Sequence, residues 1–209
     1  VADGHHRTAS AAKVGLKRRE QFPDYNGDEE FNYFMAVIFP DNQLKIYDYN
    51  RVVKDLNGLT TDEFLAKIAE KWNVTPIPEG ANFAPQKKHN ISMYLDGKWY
   101  RLEPKPGTWN EKNIVEDLDV SILQNNLLNP ILGIKDPRTD QRIDFIGGIR
   151  GLDELVKRVD SGKEAVAFAM YPTSMDELLG IADAGEIMPP KSTWFEPKLR
   201  SGLFIHLLK

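Results

Sequence analysis

Cysteine is missing from the 209 residues, and that one absence removes disulfides, thiolate metal ligands and cysteine nucleophiles together. Carboxylates, His, Lys, Arg and hydroxyls are left to carry any chemistry. No apolar run reaches the ~18 residues that a spanning helix needs, and no basic-then-apolar leader opens the chain. The expectation is a soluble, cytoplasmic protein with no membrane partner. An excess of positive charge is missing too. Lys and Arg number 27 against 31 Asp and Glu, a formal charge of −4, so the general footprint of a nucleic-acid binder is absent. Patterns such as HExxH, a calcium loop or GxSxG do not occur, which argues against a zincin, an EF-hand and an α/β-hydrolase nucleophile. His5 and His6 are adjacent, a spacing unsuited to structural zinc, and no metal site is expected. There is no internal repeat and no low-complexity tract.

What is present is an ordinary globular composition, 41% hydrophobic and 28% charged, long enough for one large domain or two small ones. Thr8 to about Arg19 is rich in Ala, Lys and Leu and predicts a helix. "FNYFMAVIF" and "LKIYDYN" flank "PDNQ", the pattern of an antiparallel hairpin with an apolar first strand. "TTDEFLAKIAEKW" opens with Thr60 and Glu63 at capping-box spacing and places Phe64, Leu65, Ile68 and Trp72 on one helical face. After a long proline-containing loop, "ISMYLDGKWYRL" sets Asp96-Gly97 between two alternating stretches, the strongest hairpin signal in the chain. "VEDLDVSILQNNLLNPILG" has a helical period up to Pro130. A short strand in "DPRTDQRIDFIGG", a helix closed by Gly162, a buried strand "EAVAFAMY" and a helix capped by Ser174 and Glu177 follow. "LFIHLL" reads as a closing strand. The fold class this predicts is α+β, with an antiparallel-rich mixed sheet and flanking helices.

The opening "VADGHHRTASAAKVG" begins with Val1 rather than Met, and "VAD" reads as the end of a strand already under way. The expectation is a fragment whose N-terminal part is missing. Gly4, His5, His6 and Arg7 would then surround a helix N-terminus, where unpaired N–H groups and the helix dipole favour an anion. Gly4 lets a ligand approach the backbone, Arg7 can grip a phosphate or carboxylate bidentately, and His5 and His6 add donors that titrate near neutral pH. Asp3 is placed to accept a proton from a hydroxyl or to stand near Mg²⁺. These are the ingredients of phosphoryl transfer. The competing reading is structural: Asp3 caps the helix and the histidines are solvated or bound to nearby carbonyls.

"PPKSTWFEPKLRSG" is a second candidate. Lys191, Ser192, Thr193, Lys198 and Arg200 can form a phosphate or carboxylate patch, with Trp194 and Phe195 on a base or on the core. The alternative is a solvated basic loop pinned by two buried aromatics. Lys87, Lys88 and His89 of "APQKKHN" read as an exposed lead-in to a strand.

"ADGHHRTASA", "PQKKHNISMYLDGKWYRL", "LDVSILQNNLLNPILGIKDPRTDQRIDFIGGIRGLDELV" and "MPPKSTWFEPKLRSGL" closely resemble the bacterial SerB-cluster domain-of-unknown-function family (DUF1015), over essentially the whole chain. The chain resembles the C-terminal half of such a protein. The "DGHHR" segment is also similar, over about ten residues, to the strand-to-helix phosphate motif of the ParB/sulfiredoxin superfamily, which includes free-serine kinases. The resemblance implies a truncated ParB/sulfiredoxin-like domain over residues 1–55 and a C-terminal α+β region over 56–209. Sulfiredoxin chemistry is unsupported, because the cysteine that family carries near His5 is absent. Kinase chemistry would make Asp3 a base or metal-proximal acid and His5, His6, Arg7 and Thr8 phosphate contacts, while a further acid of those kinases falls upstream of Val1.

The function expected on this basis is phosphorylation of a small amino acid, free serine to phosphoserine, with Mg²⁺ and ATP or ADP. Asp3 and His6 are the catalytic candidates. Gly4, His5, Arg7, Thr8, Lys191, Ser192, Thr193 and Arg200 are the phosphate-binding candidates. The alternative is a non-catalytic module that binds a nucleotide or phospho-metabolite and regulates serine metabolism. A nucleic-acid partner by analogy with ParB is disfavoured by the acidic balance.

Overall fold

A computed structural model of the chain describes residues 1–200 and 202–208. It divides into two compact units, one formed by residues 1–45 with 195–209, the other by Ile46–Trp194.

The first unit is built on α1, His5–Gln21, of which only Gly15 is buried. A Cβ at Gly15 would sit 2.9 Å from the Phe31 carbonyl oxygen, so glycine permits that close approach. Phe31 is buried and stacks on Phe22 at 6.3 Å and edge-on to Tyr25 at 6.4 Å. Three sequence expectations fail here. Residues 1–3 form no strand, so α1 follows a bend rather than a strand end. The "FNYFMAVIF" hairpin does not form: residues 30–32 make a 3₁₀ turn, residues 33–40 are irregular, and Ile38 is 91% exposed. Residues 203–208 likewise carry no strand. Both segments have strand-like composition, but β propensity is expressed only where a neighbouring strand and a buried face receive it.

The second unit holds a six-stranded sheet. Its strands are β2 (Tyr49–Val53), β3 (Trp72–Pro76), β4 (Ile91–Leu95), β5 (Lys98–Pro104), β6 (Ile143–Gly147) and β7 (Val166–Ala169). The order is β3-β5-β4-β7-β2-β6, and every ladder is antiparallel. The predicted α+β class is what the structure shows. A separate two-stranded sheet pairs β1 (Lys45–Tyr47) with β8 (Trp194–Glu196).

Side-chain alternation sorts the sheet into two buried faces. Val53, Met93, Leu102 and Phe168 lie in one apolar cluster with Phe64 and Ile68 of α2 (Thr61–Lys71), Ile122 of α3 (Asp119–Leu123) and Ile181 of α5 (Met175–Asp183). Val52, Tyr94, Ile146 and Ala167 lie in the other, with Leu155 of α4 (Leu152–Asp160). Helices on both faces explain why β4 is buried at all five positions. The Asp96-Gly97 hairpin forms as expected, both residues at positive φ (49° and 73°), as a two-residue primed turn requires. Both capping boxes, Thr60 with Glu63 and Ser174 with Glu177, are present. The helix expected up to Pro130 is α-helical only to Leu123 and widens into a π-helical turn at Gln124–Leu128. Among the described residues no helix is long and apolar enough to cross a membrane.

Candidate functional site

In the first unit the start of α1 gathers four of the residues singled out above. Gly4 takes the left-handed conformation (φ 77°, ψ 26°), and no side chain caps the helix. A Cβ on Gly4 would lie 3.3 Å from Nε and Nη2 of Arg7, so the guanidinium folds back over the glycine. The Gly4 N–H donates to Asp3 Oδ1 at 2.9 Å, and Lys198 Nζ donates to Asp3 Oδ2 at 3.2 Å. Partial burial opposes ionisation of Asp3. The Gly4 N–H, Lys198 and the Arg7 charge outweigh it and hold the carboxyl below its ordinary value. Asp3 therefore closes on the backbone as a capping residue would, yet it bonds Gly4 rather than the helix interior.

His5 and His6 occupy the exposed first turn, because α1 starts at His5, three residues before Thr8. The Thr8 N–H donates to the Gly4 carbonyl at 3.0 Å. Arg200 is exposed on irregular chain in the same unit.

Lys191, Ser192 and Thr193 belong to the second unit. Lys191 is left-handed (φ 57°) and sets its ammonium over the Tyr49 ring at 5.3 Å. Ser192 is buried and its hydroxyl donates to the Pro189 carbonyl at 2.6 Å. Thr193 is half-buried. Trp194 meets Tyr49 edge-on at 5.5 Å, over Gly147, where a Cβ would collide with the indole.

Sequence reasoning passed over a charged cluster in the same unit. Lys88 Nζ bridges Asp117 Oδ2 at 2.5 Å and Glu177 Oε1 at 2.8 Å. The Trp109 indole N–H donates to Asp117 Oδ1 at 2.8 Å and the ring stands edge-on to His89 at 4.9 Å. His89, held at φ 63°, donates its backbone N–H to Asp119 Oδ1 at 2.9 Å. Burial pushes the Asp119 carboxyl up to about 7, against the opposing pull of His89. Burial also works against the Lys88 ammonium, but its two carboxylate partners prevail and raise its pKa. "KKH" gave the cations, but the acids come from residues some 30 and 90 positions away, Asp117 to Asp119 and Glu177.

Among the described residues no group of three or more His, Asp and Glu is arranged to hold a metal ion. Asp3 accepts one bond on each oxygen, from the Gly4 N–H and from Lys198, and a carboxylate oxygen can accept a second.

Among solved structures, the chain is similar to a free serine kinase mutant in complex with AMP, at 16% identity and a TM-score of 0.47 over 93% of this chain and 66% of that one. A second mutant of a free serine kinase, in complex with ADP, gives 15% and 0.45 over the same shares. A conserved hypothetical protein from Pyrococcus furiosus gives 17% and 0.48, over 93% and 68%. The chain thus spans about 66% of the length of the kinase structures it matches. No curated protein matches it significantly. The family model described as "protein of unknown function (DUF1015)" matches residues 1–121, more than half of the chain, and this protein belongs to the DUF1015 family.

Proposed function

We propose that the protein is a phosphotransferase that moves a phosphoryl group from ATP or ADP to the hydroxyl of free serine, with the start of α1 holding the phosphate charge. The observation that carries this reading is Asp3, kept ionised by the Gly4 N–H, Lys198 and Arg7 at the uncapped start of a 17-residue helix. A carboxylate acid enough to stay charged is a weak base. Phosphoryl transfer needs little more, because its transition state is loose and most of the catalysis is positioning and charge stabilisation. Asp3 would accept a hydrogen bond from the serine hydroxyl and aim its oxygen at the phosphorus. The new O–P bond forms as the bond to the leaving nucleotide breaks, and the hydroxyl proton passes to Asp3, with His6 in the first turn of α1 available to carry it on. Arg7, His5, Thr8 and the Gly4 backbone would neutralise the phosphate oxygens. Arg200, in the same unit, stands as a further phosphate contact in this reading. Mg²⁺ would arrive with the nucleotide as part of the substrate.

The test is to incubate the full-length protein with serine, Mg²⁺ and ATP or ADP and to follow phosphoserine by phosphorus NMR. Phosphoserine should form, and Asp3→Asn should lower kcat by roughly a hundredfold or more. Full activity in Asp3→Asn would overturn the role of Asp3. The engagement of both Asp3 oxygens favours one second reading, a module that binds a nucleotide or phospho-metabolite without turning it over. It expects saturable nucleotide binding, no phosphoserine, and loss of binding in Arg7→Ala.

A further inference from the structure

We propose that the second unit carries an anion site of its own, a cavity beside β2 that takes a small phosphate monoester bearing a flat apolar group. The proposal does not rest on the reading of α1, because every residue it uses lies within Ile46–Trp194. The cavity has a volume of about 400 Å³ and runs from Arg51 on the sheet to Lys135 and Arg138.

Arg51 occupies the middle of β2, between β7 and β6, and is 4% exposed. A buried guanidinium is costly unless something answers its charge. Arg51 donates to the carbonyls of Tyr49 and of Lys191 (3.0 Å for the latter) and lies 5.6 Å from the centre of the Phe145 ring. Carbonyls and a ring satisfy hydrogens without supplying a negative charge. Among the described residues Arg51 makes no ion pair, and Asp48 acts on it only through space. Burial lowers its pKa to about 10, which still leaves it cationic at neutral pH.

The other charges along the cavity decide the ligand. Arg138 is held by Asp136 through Nη2–Oδ2 and Nε–Oδ1 bonds of 2.8 and 2.9 Å, so that pair is self-neutralising. Lys135 is exposed and makes no ion pair among the described residues. Two cations without an ion pair among the described residues face one space, Arg51, which Asp48 answers only through space, and Lys135, and a dianion matches them better than a carboxylate. The walls are apolar, with Phe145, Leu128, Pro189 and Pro190 bordering the space. They suit a flat hydrocarbon or heteroaromatic body. The Gln124 amide nitrogen donates to the Ile134 carbonyl at 2.8 Å. Gln124 sits on the π-helical turn, a distortion often found where a helix lines a site.

Phenyl phosphate is the probe, titrated into the isotope-labelled full chain while backbone amide shifts are followed by NMR. Inorganic phosphate and benzoate serve as comparisons. Phenyl phosphate should saturate with shifts at residues 120–128, 135–138 and 189–191, and benzoate should bind more weakly by about tenfold at least. Lys135→Gln, at an exposed position that folding tolerates, should weaken phenyl phosphate about fivefold or more. Arg51→Met should abolish the shifts if it folds. Absence of saturation at millimolar phenyl phosphate, shifts confined to residues 4–8, equal binding of benzoate, or an unchanged affinity in Lys135→Gln would each overturn the proposal.

Discussion

Asp119 accepts the His89 backbone N–H at 2.9 Å in a neighbourhood that also contains Lys88, Asp117, Glu177 and the Trp109 indole. Its carboxyl titrates near 7 chiefly because it is buried, so the folded state binds a proton over a range where the unfolded chain, near 3.8, has released it. More protons bound in the folded state means stability that is fully present below the unfolded value and is lost as pH rises towards 7. Asp119→Asn keeps the acceptor oxygen for His89 and removes the titration. The variant should gain on the native protein as pH rises from about 4 to about 7 and hold a constant lead above that, with roughly 4 kcal/mol as the ceiling. Urea unfolding at several pH values checks it. A gap between the two proteins that does not change with pH would show that Asp119 is ionised throughout. The same scale shows why such residues escape a linear reading. Arg51 and Asp119 look like surface residues by type, and nothing in "YNRVV" or "DLDVS" states that one ends on an inner strand and the other under a loop. Asp3, Gly4 and Arg7 were legible because their partners are neighbours in sequence, whereas Lys198 reaches Asp3 from 195 residues away.

Elements whose signal is local came out as read. The two capping boxes and the Asp96-Gly97 turn are each decided within four residues, and each forms. Gly97 tests the turn cleanly, because a Cβ there would meet no atom within 4 Å and the penalty of Gly97→Ala is conformational alone. The substitution should cost about 1–2 kcal/mol in urea unfolding with an unchanged m-value. A neutral result would mean that the turn relaxes to another type. Elements that depend on a partner did not come out as read. "FNYFMAVIF" and "LFIHLL" have the composition of strands, but pairing is a property of two segments, and among the described residues neither is paired. The π-helical turn is an intermediate case. The apolar period of "VSILQNNLLNPIL" is helical, but Pro130 has no N–H to return to Asn126, and the Asn129 N–H reaches back five residues to Gln124 instead.

At the scale of the whole molecule the two units differ in what holds them. The second has a sheet covered on both faces, and β4 lies between β5 and β7 with every residue buried, so its amides have no route to solvent short of general unfolding. In the first, α1 buries only Gly15 out of 17 residues. A helix in a folded protein takes most of its stability from packing an apolar face, which α1 scarcely has. Its basic last turn, Arg18 and Arg19, suits the dipole, but no acid occupies the first turn and no side chain caps it. Native-state hydrogen exchange should therefore find α1 amides opening locally, on the order of a hundredfold or more faster than those of β4, with urea accelerating β4 exchange steeply and α1 exchange little. Equal protection in the two elements would mean that α1 is held as firmly as the sheet. Anion binding at the start of α1 acts on the same equilibrium: a phosphate that engages Gly4 to Thr8 only when the helix is formed must slow α1 exchange in proportion to its occupancy. Added phosphate that leaves α1 exchange unchanged would remove the anion role from the helix start while leaving the cavity beside β2 untouched.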